Sequence, residues 1–131
     1  MTEIKKLTKI SLIVDAIVFF IFGTLITFLY DMTLNLEGWT NPYMPRFFGG
    51  ILLLSVIIAI LMLRKKEWEE IKLTFVYFLG LFIPVLITEV AVLAILGSTF
   101  GASTIQNGTM TIIIESSLFV LGIVSYIKQG S

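Results

Sequence analysis

Four long apolar stretches, separated by short polar connections, dominate the chain. They cover approximately residues 10–30, 47–63, 73–96 and 109–127. Each is close to the roughly 17–25 residues that a helix needs to cross the hydrocarbon core of a bilayer. The stretches are continuously apolar, whereas strands of a membrane barrel alternate lipid-facing and lumen-facing residues over about ten positions. The pattern therefore predicts an all-α fold, a single domain 1–131 built as an integral membrane bundle of four transmembrane helices.

Basic residues are divided unequally between the two sides of this predicted bundle. Of the nine, Arg46 lies on one side, and the remaining eight lie on the other: Lys5, Lys6, Lys9, Arg64, Lys65, Lys66, Lys72 and Lys128. By the positive-inside rule, both termini and the central connection face the cytoplasm. We expect the protein to lie in the cell or plasma membrane. We also expect the first helix to be retained, because it is longer than the apolar region of about 7–15 residues in a cleaved signal peptide.

Composition narrows the possible chemistry. Hydrophobic residues make up 57% of the 131 positions, and nine basic residues balance nine acidic ones, so the charge suggests no nucleic-acid surface. The chain has neither cysteine nor histidine. The usual ligands of zinc, haem and iron–sulfur clusters are therefore missing, as is a thiolate nucleophile. We expect no metal site, no cofactor and no enzymatic activity.

Three acidic residues, Asp15, Glu89 and Glu115, interrupt the apolar stretches. A carboxylate inside the hydrocarbon is costly and commonly has a functional role. With a helical rise of about 1.5 Å per residue, Glu89 and Glu115 lie roughly 9–12 Å from the outer ends of their stretches, and Asp15 lies roughly 8 Å from the cytoplasmic boundary. We predict that the two glutamates share a level in the outer leaflet, with Arg46 close enough to serve as a charge partner or gate.

Two interpretations of these polar residues remain open. An ion-pair and hydrogen-bond network between Arg46 and the glutamates could fix the order of the helices. Alternatively, paired carboxylates could hold a shared proton or a cation, and in the cation case the neighbouring hydroxyl groups of Thr88, Thr111 and Ser116 could contribute ligands.

Asp15 has its own pair of interpretations. Its side chain could extend towards the cytoplasmic headgroups or pair with Lys9 or Lys128. Otherwise it marks a cytoplasmic proton port.

The third stretch carries two local signals. Pro84 predicts a kink about one turn from Glu89. In the preceding connection, the pairs Lys65/Glu69 and Lys66/Glu70 have the i,i+4 spacing of helical ion pairs. The third helix is therefore expected to begin before the membrane, with Trp68 at the interface.

The last connection contains Asn107-Gly108-Thr109, which has the sequence of an N-glycosylation acceptor. The same three residues could equally form a turn that leads into the fourth helix. Both interpretations of Asn107 are kept.

The segment WTNPYMPRFFGGILLLSVIIAILMLRKKEWEEIK, residues 39–72, combines four features. It has Arg46 at the start of the second helix, the adjacent Gly49 and Gly50, an apolar span, and a basic turn followed by Trp68. This combination resembles small four-helix membrane proteins loosely grouped with the DoxX-like proteins. The resemblance implies the same architecture. Because that group is linked to membrane redox complexes, it also implies an accessory role for a chain without redox ligands.

The expected function is that of a non-catalytic accessory or scaffolding subunit of a membrane complex. Its expected partners are the lipid bilayer and either another membrane protein or further copies of the same chain. The alternative is an oligomeric proton- or cation-coupled transporter or channel that uses Glu89, Glu115 and Asp15, with Arg46 as the gate.

Overall fold

A computed structural model describes residues 2–29 and 43–130 as helices joined by short connections. The helices are α1 (Lys6–Phe28), α2 (Tyr43–Leu63), α3 (Trp68–Gly80), α4 (Phe82–Leu96) and α5 (Ala102–Gln129), with a 3-10 turn at Gly97–Thr99. Among residues 2–29 and 43–130, four helical stretches are long and apolar enough to cross a membrane when α3 and α4 are taken together. The predicted helical architecture with four such stretches is confirmed. Residue 30, the last of the first predicted stretch, and residues 39–42, the first of the segment 39–72, lie outside the described residues.

The four spans run in alternating directions. Thr8 of α1 contacts Gln129 of α5, Gly23 of α1 lies against Gly49 of α2, and α4 packs along α5. Residues 2–5, 64–67 and 128–130 consequently share one end of the bundle, here called the terminal end. Residue 29, residue 43 and residues 97–101 lie at the opposite, distal end.

The third span is interrupted between α3 and α4. Pro84 has no N–H group to donate to the carbonyl of Gly80 four residues earlier, and its ring crowds that carbonyl. Leu81 lies between the two helices, and its N–H is shared by the carbonyls of Tyr77 at 3.2 Å and Phe78 at 3.3 Å. The predicted kink near Pro84 is confirmed as a break in the helix.

α5 begins seven residues before the apolar stretch that predicted it, at Ala102 rather than 109. Its first turns are rich in hydroxyl groups that bond to their own helix: Thr109 Oγ1 donates to the Ile105 carbonyl at 2.8 Å, and Thr111 Oγ1 donates to the Asn107 carbonyl at 3.0 Å. Asn107 is therefore exposed on a helix. The interpretation of this segment as a turn is wrong, and its glycosylation stays a prediction.

α3 begins only at Trp68, so Lys65 and Lys66 precede the helix and the two predicted i,i+4 pairs do not form. Lys65 Nζ instead contacts Glu70 Oε1 at 3.0 Å. The Trp68 side chain is buried within the bundle, with only 2% of its surface exposed, and its position at the membrane interface stays a prediction. Its ring packs edge-on against Phe75 at 5.5 Å and Tyr126 at 5.8 Å between ring centroids.

The terminal end is closed by an extended segment that precedes α1. Residues 2–5 run antiparallel to residues 66–68, with the Ile4 N–H donating to the Lys66 carbonyl at 3.1 Å. The Trp68 N–H donates to the Thr2 carbonyl at 2.7 Å. Ile4 is 2% exposed, so this segment seals the apolar core beneath it.

Gln129, at the last turn of α5, ties this segment to the bundle. Its Oε1 accepts hydrogen bonds from the Lys5 N–H at 2.8 Å and from Thr8 Oγ1 at 3.0 Å. Its Nε2 donates to the Glu3 carbonyl at 2.9 Å. We call residues 2–5, residues 66–68 and Gln129 the terminal cap.

Candidate functional site

Glu89 of α4 and Glu115 of α5 lie opposite one another, and their carboxyl groups are close enough to interact. The antiparallel register continues towards the distal end, where a methyl group added at Gly108 would lie 3.3 Å from Leu93 Cδ2. The prediction that the two glutamates share a level thus agrees with the packing of α4 on α5.

The structure gives the position of Glu115 along its helix. α5 has 28 residues from Ala102 to Gln129, and Glu115 is 13 residues from its start, or roughly 20 Å along the helix. The predicted start at residue 109 gave a shorter distance, and the outer-leaflet depth of the pair stays a prediction.

The surroundings of the pair are the least covered part of the described chain. None of residues 83–117, here called the distal hairpin, is buried. Within α4 the only buried residue is Phe82, and α5 has its first buried residue at Leu118. Glu89 and Glu115 are themselves half-buried, because they cover each other.

The chemistry of the pair follows from the closeness of two carboxyl groups. An ionised carboxylate can only accept hydrogen bonds, so a hydrogen bond between the two groups requires one of them to be protonated. One oxygen of each glutamate, Oε2, is shielded from solvent and makes no hydrogen bond among residues 2–29 and 43–130.

Two of the hydroxyl groups considered as cation ligands, those of Thr88 and Thr111, donate hydrogen bonds to their own helices. Thr88 Oγ1 donates to the Pro84 carbonyl at 2.7 Å, and Thr111 Oγ1 donates to the Asn107 carbonyl. Bonds of this kind from Ser and Thr to the preceding turn are common in membrane helices. In the part of the chain that the structure describes, no three acidic side chains converge on a common point.

Arg46 lies exposed in the first turn of α2, where it makes its own interactions. The titratable side chain that interacts with each glutamate is the other glutamate. The polar group that the structure brings together therefore consists of Glu89 and Glu115, without Arg46.

The burial of the Asp15 side chain is the clearest difference from the predictions made for the acidic residues. It is nine residues from the start of α1 and 0% exposed, and neither of its carboxyl oxygens has a hydrogen-bond partner among the described residues. The expected extension towards headgroups, or pairing with Lys9 or Lys128, is wrong. Lys9 instead lies 4.0 Å from Glu3. Asp15 faces inward because it shares one side of α1 with the buried Thr8, Ser11 and Leu12.

Gln129 is the polar residue that the sequence analysis missed. A glutamine at the end of a long apolar helix is an ordinary feature, and its partners lie 121 to 126 positions away in the chain. The one available signal was its position after Lys128, at the end where the basic residues gather.

No protein-family model, no curated protein and no solved structure matches the chain. The function is therefore inferred from the residues and their geometry.

Proposed function

We propose that this protein is a non-catalytic accessory or scaffolding subunit of a membrane complex. In this proposal, the distal hairpin binds a transmembrane helix of another protein or of a second copy. The observation that carries the proposal is the position of the Glu89–Glu115 pair in a stretch of 35 residues, 83 to 117, none of which is buried. The resemblance to DoxX-like proteins is in keeping with such a role.

A partner helix is favoured because polar groups in lipid need a hydrogen-bonding neighbour. A half-covered carboxyl pair exposed to hydrocarbon is unfavourable, whereas the same pair against a neighbouring helix can form interhelical hydrogen bonds. Such bonds are worth about 0.6 kcal/mol on average and up to about 1.7 kcal/mol in membrane proteins. The apolar surface around the pair adds van der Waals contact when a second helix covers it.

The proposed orientation has both termini on the cytoplasmic side of a plasma membrane. Eight of the nine basic residues lie at the terminal end, and Arg46 lies at the distal end. Because the chain has no cysteine, single substitutions can test this directly. Lys66→Cys should react with a membrane-impermeant thiol reagent only in inverted vesicles, and Ser98→Cys should react only in right-side-out cells. The opposite pattern would reverse the orientation.

The functional test uses a photo-crosslinking amino acid in place of Ile87, which is 64% exposed on the distal hairpin. The control position is Leu73, which is 83% exposed on α3. We expect Ile87 to give one defined protein adduct, which mass spectrometry identifies, and Leu73 to give lipid adducts. The protein adduct should be lost in the folded Glu89→Gln/Glu115→Gln variant. A strictly monomeric protein with lipid adducts at both positions would contradict the proposal.

The closeness of the two carboxyl groups favours a second candidate, an oligomeric proton- or cation-coupled transporter. Two carboxyl groups that share one proton can exchange it for a cation or pass it on. This candidate predicts proton or cation flux in proteoliposomes that is lost in Glu89→Gln or Glu115→Gln. Unchanged flux in both folded variants would eliminate it.

A further inference from the structure

Three buried polar residues form a line along one side of α1. Thr8, Ser11 and Asp15 are each 0% exposed and are separated by three and four positions, so they follow one another on a single helical face. From Thr8 to Asp15 the line extends roughly 10 Å into the bundle from the terminal cap. It is separate from the Glu89–Glu115 pair and independent of the function proposed above.

The hydrogen bonds along this line are completed at its outer end and incomplete at its inner end. Thr8 Oγ1 donates to Gln129, and on the facing helix Ser125 Oγ donates to the Leu121 carbonyl at 2.7 Å. Ser11 Oγ and both carboxyl oxygens of Asp15 are shielded and make no hydrogen bond to any described residue. Three oxygen atoms from two residues are thus available inside the bundle.

The number of available oxygens indicates which ligand they suit. A hard cation such as Ca²⁺ takes about six to eight oxygen ligands. An ionised carboxylate left buried without a partner is strongly unfavourable. One proton removes that charge and converts an acceptor-only carboxylate into a group that can donate to a neighbouring oxygen.

Positive side chains around the line are not directed at Asp15. The titratable groups at this end of the surrounding elements are Glu3, Lys5, Lys6, Lys9, Arg64, Lys65, Lys66, Glu67, Glu69, Glu70, Lys72, Tyr126 and Lys128. Lys9 lies 4.0 Å from Glu3, and Lys5 Nζ donates to the Lys128 carbonyl. No group in the described part of the chain forms a hydrogen bond with the Asp15 carboxyl group.

We propose that Asp15 is a proton-binding site inside the bundle, loaded from the terminal end along the hydroxyl groups of Thr8 and Ser11. A hydronium ion at the terminal end loses one O–H bond and becomes water. At each hydroxyl oxygen of the route one O–H bond forms as the existing O–H bond breaks towards the next oxygen, and the last transfer forms an O–H bond on one carboxyl oxygen of Asp15. The same steps in reverse return the proton to water.

The test uses the fact that the chain contains two aspartates, Asp15 and Asp31. Cell-free synthesis of an Asp31→Asn protein with aspartate labelled by carbon-13 at the side-chain carboxyl leaves Asp15 as the one labelled residue. Infrared spectra of this protein in liposomes at neutral pH should show the label shifting the C=O band of a protonated carboxyl group. The band should be absent in Asp15→Asn/Asp31→Asn. If the label shifts only the bands of an ionised carboxylate, the proton site is wrong, and sodium-dependent changes in those bands would replace it with a cation site.

The route has a separate readout, the rate at which the Asp15 band shifts after transfer to heavy water. Ser11→Ala should slow this shift by at least about tenfold, since a positioned proton-transfer group commonly contributes about 10²–10⁴-fold. The matched control is Ser55→Ala on α2, because Ser55 is also buried but donates to the Ile51 carbonyl at 2.9 Å. Equal rates in these two variants would overturn the route through Ser11.

Discussion

Around Phe75, near the terminal end, residues from every described helix and from the extended segment close over one another. Over residues 83–117, by contrast, two helices hold two carboxyl groups with no buried residue beside them. Both regions are built from the same apolar residue types, so hydropathy does not distinguish them. The difference lies in how many segments meet. The terminal half completes its packing within one chain, whereas the distal hairpin presents surface that only lipid or another helix can cover.

The close contact between α1 and α2 near the distal end makes this difference clearer. There the two helices approach closely through Gly23 and Gly49, because a methyl group added at Gly49 would overlap the Thr27 side chain and lie 3.1 Å from the Gly23 carbonyl oxygen. Glycines at a membrane helix interface allow such backbone contact. The open surface at the distal end therefore belongs to the α4–α5 pair and is not a general loosening of that end.

The largest expected effect comes from truncating the centre of the terminal half. Phe75→Ala should lower the free energy of unfolding by about 3–5 kcal/mol, because the residue is 0% exposed and its removal leaves a cavity. Ile87→Ala in the distal hairpin should change it by less than about 0.5 kcal/mol. Equilibrium unfolding in mixed detergent micelles measures both. Similar losses in the two variants would remove the distinction between the regions.

The next effect tests the terminal cap. Gln129→Ala removes three hydrogen bonds and leaves the Lys5 N–H and the Glu3 carbonyl without their partner. It should lower the free energy of unfolding by about 1–3 kcal/mol and speed hydrogen exchange at the Lys5 amide. Gln106→Ala, an exposed position on the same helix, is the control and should leave both unchanged. Unaltered exchange at Lys5 in Gln129→Ala would show that the cap does not depend on this residue.

A smaller effect is expected where α1 meets α2. Gly49→Ala should lower the free energy of unfolding by about 1 kcal/mol, since the new methyl group forces the helices apart. Its neighbour Gly50 has nothing within 4 Å of an added methyl group. Gly50→Ala should therefore be neutral or raise stability by up to about 1 kcal/mol, which is the helix propensity difference. The reverse order in thermal melting would mean that α1 and α2 are not in close contact here.

The smallest effect concerns the charged rim of the terminal end. Lys65→Gln removes the exposed ion pair with Glu70, and exposed pairs contribute little because water and salt screen them. We expect an unchanged melting temperature at low and high salt. A clear, salt-sensitive drop would assign the stability of this end to charge pairs instead of to Gln129 and the buried aromatic residues.

Much of this architecture could be predicted from local patterns. Apolar runs locate the four spans, Pro84 locates the break in the third, and residue counting brings Glu89 level with Glu115. α5 extends seven residues beyond its apolar run, to Ala102. The polar residues Ser103, Gln106 and Asn107 are exposed on this part of the helix, so the loop-like sequence pattern there is misleading.

What could not be predicted depends on contacts between distant parts of the chain. Hydropathy gives the depth of Asp15 but not the face of α1 on which it lies, and depth alone suggested a route to the headgroups. Tryptophan is enriched at membrane interfaces, so the sequence suggested such a position for Trp68. Its packing against Phe75 and Tyr126 places its side chain in the core. The partners of Gln129 lie more than a hundred positions away, beyond any periodic signal.

The terminal cap also has a consequence for the order of biosynthesis. Glu3 and Lys5 leave the ribosome before the four helical stretches, and Gln129, to which both bond, leaves at the end of the fourth. The extended segment therefore has to wait, with its backbone groups hydrated, until the fourth span is inserted. Closing the cap is then a late step of assembly, and a chain released before Gln129 would lack the residue that completes it.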